Sequence, residues 1–325
     1  MSTMRAVEIP SSGGPRVARI IEVPVPQPKA GEVLVRIAAG GLNFADVMQT
    51  RGLYVGGPKP PYIAGFEGAG EVVQVGEGVD LAVGAKVIGT GPGAFAEYAA
   101  WRAKELIPLP PRMSFAQGAA FFVQWLTAHG CLRTFGRLVP GETVLIHAGA
   151  GGVGSAAIRL AKHFGAQVIA TASSDDKLAK MRELGADVVI NYQTQDFVEI
   201  TKQHTQGRGA HLILEMVGGE IFDKNWKALM PFGRMVVYGA ASTKAANARN
   251  IDLIFKPIEV IGYHLTVLMT KRPDLFQAEM VEVESLLAAG VILPEEPKQY
   301  RLADAVQALT DLEERRTTGK LVLVP

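Results

Sequence analysis

The sequence predicts an α/β fold in two parts, a β-barrel-like domain followed by a doubly wound parallel sheet. Two patterns and one motif predict it. Residues 1 to about 110 are short apolar runs cut by Gly and Pro, the texture of an all-β domain. From residue 143 onward apolar strands alternate with helical patterns, which implies βαβ units with right-handed crossovers. Between the first strand and first helix of that alternation lies "HAGAGGVG", a glycine cluster of the kind that turns a strand into a helix.

In chain order, "RAVEI", "VARIIEVPVP", "GEVLVRIAAGG", "GEVVQVGEG", "AKVIGT" and "AFAEYAAW" supply the strands of the first domain. Helical periodicity begins at "SFAQGAAFFVQWLTAHGCLRTF", where Ser114 and Gln117 stand three apart as a capping box, so a domain boundary falls near residues 111 to 125. The strand "ETVLIHA", helix "SAAIRLAKHF", strand "AQVIAT", helix "DKLAKMREL" and strand "DVVIN" follow, then "AHLILEM", "NWKALMPFG" and "RMVVYG". Gly165 and Gly185 each sit just past a helix, where a left-handed C-cap is wanted. The tail holds two helices, "PDLFQAEMVEVESLLAAG" and "LADAVQALTDLEERR", and the strand "KLVLVP". Spacing alone leaves open whether this tail completes the sheet domain or returns to the first.

A chain of 325 residues with 48% hydrophobic and 20% charged residues has the composition of a globular protein of two domains. Its 33 basic and 32 acidic residues form no long run, which argues against a nucleic-acid or polybasic membrane footprint and for small-molecule partners. No window reaches the roughly 20 apolar residues of a bilayer span, and no signal peptide is legible, so a cytoplasmic protein is expected. The single cysteine, Cys131, cannot form an internal disulfide and reads as a small buried apolar side chain.

The cluster carries Gly149, Gly151 and Gly154 as GxGxxG, with Ala150, Gly152 and Val153 between them. After an apolar strand and at the head of a helix, this is a dinucleotide fingerprint. One glycine makes the tight turn, one lets backbone approach the pyrophosphate, and one permits close helix packing. The anion then sits on free N–H groups at the positive end of the helix. Arg159, Lys162 and His163 lie toward the other end, so side-chain charge is not needed as the phosphate holder.

About twenty residues on, where a carboxylate would grip a ribose diol, the second strand ends in "TASS". Ser173 and Ser174 offer hydroxyls to a 2′-phosphate, and Lys177, one turn into the next helix, offers charge. Tyr192, after the third strand, is placed to close over the adenosine. Asp175 and Asp176 stand where a helix's first turn prefers acids, and Ser174 also fits a plain N-cap. The reading favours NADPH over NADH.

"AGGLNFADVMQTRGLY", "GFEGAGEVVQVGEGV", "HAGAGGVG" and the ending "GKLVLVP", in this order and at these spacings, resemble the zinc-free quinone oxidoreductases of the medium-chain dehydrogenase/reductase superfamily, the zeta-crystallin-like branch. The resemblance covers essentially the whole chain. It implies a GroES-like β-barrel domain over 1–122, a Rossmann doubly wound parallel-sheet domain over 123–264 that binds NADPH, and a return of 265–325 to the barrel domain. It also implies an active site in the cleft between the two.

Zinc-dependent relatives hold a catalytic metal with Cys and with the His of a Gly-His-Glu sequence. This chain has Gly65-Phe66-Glu67, and residues 1–128 contain neither His nor Cys. A catalytic zinc takes three protein ligands, so no metal is expected. Without a Lewis acid to polarise an isolated carbonyl, the suited acceptors are those that delocalise charge after hydride arrives, a quinone or an alkene conjugated to a carbonyl.

The resemblance assigns Asn43 and Asp46 to the nicotinamide and acceptor, and Tyr54 as proton donor or orienting hydroxyl, with a loop aromatic that merely closes the cleft as the competing role. A second Tyr of relatives is Met48 here. Thr127 is matched to a threonine at the nicotinamide ring. Val217, Gly218, Tyr238, Gly239, Ala240 and Ala241 are matched to loops at the C-terminal ends of later strands, which border the ligand crevice of open α/β sheets. Tyr263, His264 and Leu265 are matched to a segment crossing the nicotinamide side, and Arg315 and Lys320 to a C-terminal pair near the cofactor. His147, ending the first strand of the sheet domain, reads as structural, and His129 carries no assigned role.

The expected activity is NADPH-dependent hydride transfer to a quinone. An alkenal or enone double-bond reductase is the alternative enzyme, and a cofactor-binding structural or regulatory protein with little turnover is the alternative of another class. The strand "PIEVIGY" at the sheet edge suits pairing across a two-fold axis, so a homodimer is expected.

Overall fold

The computed structural model describes residues 2–325. They divide into two compact units, the chain up to Val123 together with Pro294–Pro325, and Gln124–Leu293.

The first unit opens with β1 (Thr3–Ile9), β2 (Arg19–Pro24), β3 (Glu32–Leu42), helix α1 (Phe44–Thr50), β4 (Tyr62–Ile63), β5 (Glu67–Val75), β6 (Lys86–Thr90), β7 (Tyr98–Arg102) and β8 (Leu106–Pro108). β1 pairs antiparallel with β2 and β4 in a three-stranded sheet, while β3 anchors the larger one by pairing with β5 and β7. The alternation of β3 explains its place: Val33, Val35 and Ile37 point into a core with Val72, Phe95 and Trp101, and Arg36 points out. Burying each such side chain contributes roughly 1.5–3 kcal/mol.

α2 (Phe115–Ala119) starts on the expected capping box, with the Gln117 N–H on Ser114 Oγ at 3.0 Å and the Ser114 N–H on Gln117 Oε1 at 2.9 Å. The long helix suggested by periodicity is broken, because the Val123 N–H donates to the Glu67 carboxylate at 2.8 Å rather than to a carbonyl one turn back. α3 (Phe122–His129) begins there and ends in a π-helical turn, Gly130–Thr134.

In the second unit β9 (Thr143–Ile146), β10 (Gln167–Ala172), β11 (Val188–Asn191), β12 (Ala210–Glu215), β13 (Leu229–Val237) and β14 (Glu259–Gly262) form one sheet in the order β11-β10-β9-β12-β13-β14. Every pair is parallel, and the order reverses at β9, the doubly wound arrangement. The connecting helices are α4 (Gly152–His163), α5 (Asp175–Glu183), α6 (Phe197–His204), α7 (Gly219–Ala228) and α8 (Asn250–Phe255). Val144, Leu145 and Ile146 are wholly buried, as strands covered on both faces require. Gly165 and Gly185 cap α4 and α5 at φ 76° and 102°.

α9 (Leu265–Lys271) and α10 (Pro273–Ala288) also belong to this unit, so the chain rejoins the first unit at Pro294 and not at residue 265. The reason lies in α10, whose Glu279, Met280 and Val283 are buried and whose Glu279 carboxylate takes the Thr134 hydroxyl at 3.1 Å. β15 (Lys298–Arg301), α11 (Ala305–Glu313) and β16 (Leu321–Val324) then complete the first unit, with β16 antiparallel to β3. Among the described residues no helix is long and apolar enough to cross a membrane.

Candidate active site

The glycine loop of the second unit leaves β9 through His147 and Ala148. The left-handed residue of the turn is Ala148, at φ 51°, and none of Gly149, Gly151 and Gly154 has a positive φ. Gly149 lies inside the turn that the Gly151 N–H closes on the Ala148 carbonyl at 2.9 Å, and the motif glycines are needed there for space and not for a left-handed φ. A Cβ on Gly154 would lie 2.3 Å from the Ala148 carbonyl oxygen, and one on Gly149 would lie 2.5 Å from Met181 Sδ and 2.9 Å from Ala170 Cβ. Gly151 is the least crowded of the three, with only the Ala148 oxygen near, at 3.2 Å. α4 starts at Gly152 with Gly151 as a side-chain-free N-cap, so the first-turn N–H groups have no carbonyl one turn earlier to serve. Such a terminus is a ready anion site. At the far end Lys162 is engaged by Asp187, with both oxygens at 2.8 Å.

β10 ends at Ala172, followed by half-buried Ser173 and exposed Ser174. Ser174 is the N-cap of α5, yet its side chain makes no capping hydrogen bond, and Asp175 and Asp176 are exposed in the first turn. Lys177 is half-buried one turn in. The Tyr192 N–H donates to the Ala172 carbonyl at 3.1 Å, which brings Tyr192 beside the end of β10. Ser173, Ser174, Lys177 and Tyr192 thus lie around the C-terminal end of β10.

At the end of β12 stands Glu215, wholly buried and missed by the sequence reading. Its Oε1 accepts the N–H groups of Val217 at 2.5 Å and Gly218 at 2.6 Å, and its Oε2 accepts the Asn225 side-chain amide. Asn225 Oδ1 in turn lies 2.8 Å from His147 Nε2, and His147 Nδ1 lies 3.1 Å from Thr171 Oγ1. A carboxylate only accepts, so Asn225 offers its NH2 to Glu215 and its oxygen to His147. His147 therefore carries its proton on Nε2, and the Thr171 hydroxyl donates to Nδ1. Burial holds the imidazole below its ordinary pKa, against the pull of Glu215. His147 is structural, as the sequence indicated, and it belongs to a buried chain that sets the loop after β12. The second loop is zipped to this one: Ala241 N–H donates to Met216 O and Ser242 N–H to Val217 O, both at 2.8 Å. Val217, Gly218, Gly239, Ala240 and Ala241 accordingly share one sheet end, while burial pushes the Tyr238 phenol well up.

Thr127 is buried in α3. Tyr263 is turned inward, its Oη 3.3 Å from the Leu126 carbonyl and its ring against Gly130, where a Cβ would lie 2.4 Å from the ring edge. Of the expected segment Tyr263–Leu265, only His264, the N-cap of α9, is exposed.

In the first unit, the register that pairs Leu321 with Leu42 sets Lys320 opposite Asn43. Lys320 Nζ donates to Asn43 Oδ1 at 2.7 Å and to Glu67 Oε2 at 2.5 Å, and Asn43 Nδ2 donates to the same Glu67 oxygen at 2.9 Å. Lys320 is 7% exposed and Glu67 0%. The sequence reading grouped Lys320 with Arg315. The structure leaves Arg315 exposed at φ 59° and commits the Lys320 ammonium to Glu67 and Asn43.

Asn43 is also the N-cap of α1, and its main-chain N–H donates to Asp46 Oδ2 at 2.8 Å. Asp46 Oδ1 is buried with no hydrogen-bond partner. Burial raises the Asp46 carboxyl to about 7, against the Asn43 N–H and the Lys320 charge, both of which lower it. Two phenols feel this carboxylate. Burial and then Asp46 raise Tyr54, and the same two causes raise Tyr62, whose buried hydroxyl has no partner, to about 12. The sequence reading missed Tyr62. Its only signal was an aromatic on a two-residue strand.

The family models that match are an alcohol dehydrogenase GroES-like domain over residues 29–111 and a zinc-binding dehydrogenase over residues 152–283. A 2-haloacrylate reductase of a Burkholderia species is 34% identical over 98% of this chain and 98% of its own length. A synaptic vesicle membrane protein VAT-1 homolog of Danio rerio is 32% identical over 99% of this chain and 70% of its own length. The crystal structure of Escherichia coli quinone oxidoreductase complexed with NADPH superposes with TM-score 0.92 and 34% identity, covering 100% of both chains. The chain belongs to the zinc-free quinone oxidoreductase branch of the medium-chain dehydrogenase/reductase superfamily. It also matches 13% of the length of a highly-reducing polyketide synthase of Aureobasidium melanogenum, at 34% identity, so the branch shares its fold with a stretch of a much longer protein. In this medium-chain reductase Phe66 follows Gly65, and among the described residues no three His, Cys, Asp or Glu side chains gather as metal ligands.

Proposed function

We propose that this medium-chain reductase is an NADPH-dependent quinone oxidoreductase working without a metal. One observation carries the reading: a unit with an open glycine cradle is joined in one chain to a cluster that offers no metal donor set and holds a buried carboxyl half-protonated near neutrality. The cradle fits a dinucleotide, since Gly151 leaves backbone accessible at a helix N-terminus. NADPH, when bound, supplies the hydride. The amides of Gly152, Val153 and Gly154 hold the pyrophosphate, and Ser173, Ser174 and Lys177 hold the 2′-phosphate. Val217, Gly218 and Tyr238–Ala241 border the nicotinamide, with Thr127 and His264 as further contacts. A quinone that has taken hydride bears negative charge on oxygen, and Asp46 and Tyr54 supply or orient the proton that completes the hydroquinone. The NADPH complex of the Escherichia coli relative supports NADPH as the nucleotide.

The experiment is a panel of quinones, enals and a no-acceptor blank, followed by loss of nicotinamide absorbance. Quinones should turn over fastest, with kcat/KM for NADPH at least about 10-fold above NADH, a difference of about 1.4 kcal/mol. Lys177→Ala should narrow that ratio. NADH equal to NADPH, or a ratio untouched by Lys177→Ala, would sink the cofactor assignment. The second reading, reduction of a conjugated double bond, is favoured by the 2-haloacrylate reductase relative, and it wins if enals outpace quinones.

We also propose a homodimer. Among the described residues β14 is one of the two edges of the six-stranded sheet, and Phe232, Ile254 and Phe255 are 80%, 69% and 82% exposed in the same unit. An open apolar edge invites pairing with a second copy. Sedimentation should give a dimer that Val260→Asp dissociates, and a monomeric wild type refutes the proposal.

A further inference from the structure

Lys320 and Glu67 form a buried ion pair separated by 253 residues of sequence. Of the three N–H bonds of Lys320, one goes to Glu67 Oε2 and one to Asn43 Oδ1. Glu67 Oε1 is occupied by the Val123 N–H, and Asn43 Nδ2 shares Oε2 with the lysine. The Asn43 amide is thus oriented from both ends, its oxygen toward the ammonium and its NH2 toward the carboxylate. Asn43 Nδ2 also reaches the Gly41 carbonyl at 3.4 Å, and Gly41 itself is closely packed, since a Cβ there would lie 2.1 Å from the Ala119 oxygen and 3.1 Å from Glu67 Oε2. Asn43 in turn grips Asp46 Oδ2 through its main-chain N–H, which leaves Oδ1 as the atom of that carboxyl with no protein partner.

We infer that Lys320 is a positioning residue for reduction of the acceptor, holding Asn43, and through it Asp46, in place without itself touching acceptor or nucleotide. The inference rests on the role of Asp46 proposed above. The charged and titratable groups that act on Asp46 are Lys320 and Glu67, and Asp46 acts on the phenols of Tyr54 and Tyr62. The Lys320 charge favours the Asp46 carboxylate, so removing it strengthens proton binding there and moves the loss of the acid form to higher pH.

The test uses Lys320→Arg, Lys320→Met and the double variant Lys320→Met/Glu67→Gln. The double variant removes both charges together and so avoids leaving one buried and unpaired. It should melt close to wild type and bind NADPH with unchanged Kd, while kcat falls by about 10-fold or more from the displaced geometry. Lys320→Arg should recover a large part of that loss. A folded double variant with wild-type kcat overturns the inference, as does a loss confined to NADPH affinity, which would put Lys320 on the nucleotide. The infrared carbonyl band of protonated Asp46, assigned by its absence in Asp46→Asn, needs no turnover. Its midpoint should rise in Lys320→Met, and an unmoved midpoint there counts against the inference; the double variant also removes the opposing Glu67 charge, so in it the decision falls to kcat and to its recovery in Lys320→Arg. A wild type that reduces no acceptor defeats the proposed function separately, and the infrared titration still decides the role of Lys320.

Discussion

Glu215→Ala is expected to destabilise the second unit by about 3–5 kcal/mol. The substitution strips the acceptor from three donors at once, the N–H groups of Val217 and Gly218 and the Asn225 amide. Each buried donor left without a partner costs roughly 1–3 kcal/mol. The melting temperature of the unit should fall by on the order of 10 °C. Because the same two N–H groups shape the loop that follows β12, the NADPH Kd should weaken as well. Glu215→Gln makes a sharper test. Its amide oxygen can keep the two main-chain donors, but its NH2 then faces the NH2 of Asn225. Relief requires Asn225 to turn over and offer NH2 to His147, which must move its proton from Nε2 to Nδ1 and accept at Nε2. Thr171 Oγ1 becomes the acceptor for Nδ1. A change of His147 tautomer in nitrogen NMR spectra is the expected signature. Retention of the Nε2–H form in a stable Glu215→Gln protein would show that the carboxylate does not orient the chain.

Gly154→Ala should abolish tight NADPH binding, and Gly151→Ala should weaken it without unfolding the protein. The Cβ added at 154 meets main-chain atoms, the Ala148 oxygen at 2.3 Å and the Gly149 Cα at 2.7 Å, so the first turn of α4 has to move away from the strand end. Forcing such an atom into a packed site costs typically 1–3 kcal/mol, and the amides that would hold the pyrophosphate move with the helix. At Gly151 only the Ala148 oxygen is near, at 3.2 Å, so the fold accommodates a methyl that stands in the path of the phosphate. Nucleotide titrations paired with melting curves separate the two. Wild-type NADPH affinity in Gly154→Ala would remove the argument for the cradle.

Much of the site was legible because it is local in sequence. The glycine loop, the "TASS" strand end and Lys177 lie within one βαβ unit, and the capping box at Ser114 and Gln117 spans a single turn. Local periodicity and turn chemistry are enough to read such features. The tail was harder. Helix α10 looks the same in sequence whether it packs on one unit or the other, and only the burial of Glu279, Met280 and Val283 assigns it. The break between α2 and α3 was hidden too, because its cause, the Glu67 carboxylate on the Val123 N–H, comes from a distant strand. Glu215 and Asn225 went unnoticed for a related reason, since a lone acid ending an apolar strand has no periodic signature and its partners are revealed by folding.

Sequence alone determined the two-part α/β architecture, the glycine loop between β9 and α4, the two serines that follow β10, and the lack of His and Cys before residue 129. Each of these depends on residue type at short range, where backbone geometry follows from neighbours. Tertiary structure alone decided that Ala148 and no glycine carries the left-handed turn. It also decided that Tyr263 faces inward, that Lys320 is spent on Glu67 and Asn43, and that Asp46 is buried enough to hold a proton near neutral pH. Those outcomes depend on what is desolvated and what is paired across hundreds of residues, and desolvation and pairing exist only once the chain has closed on itself.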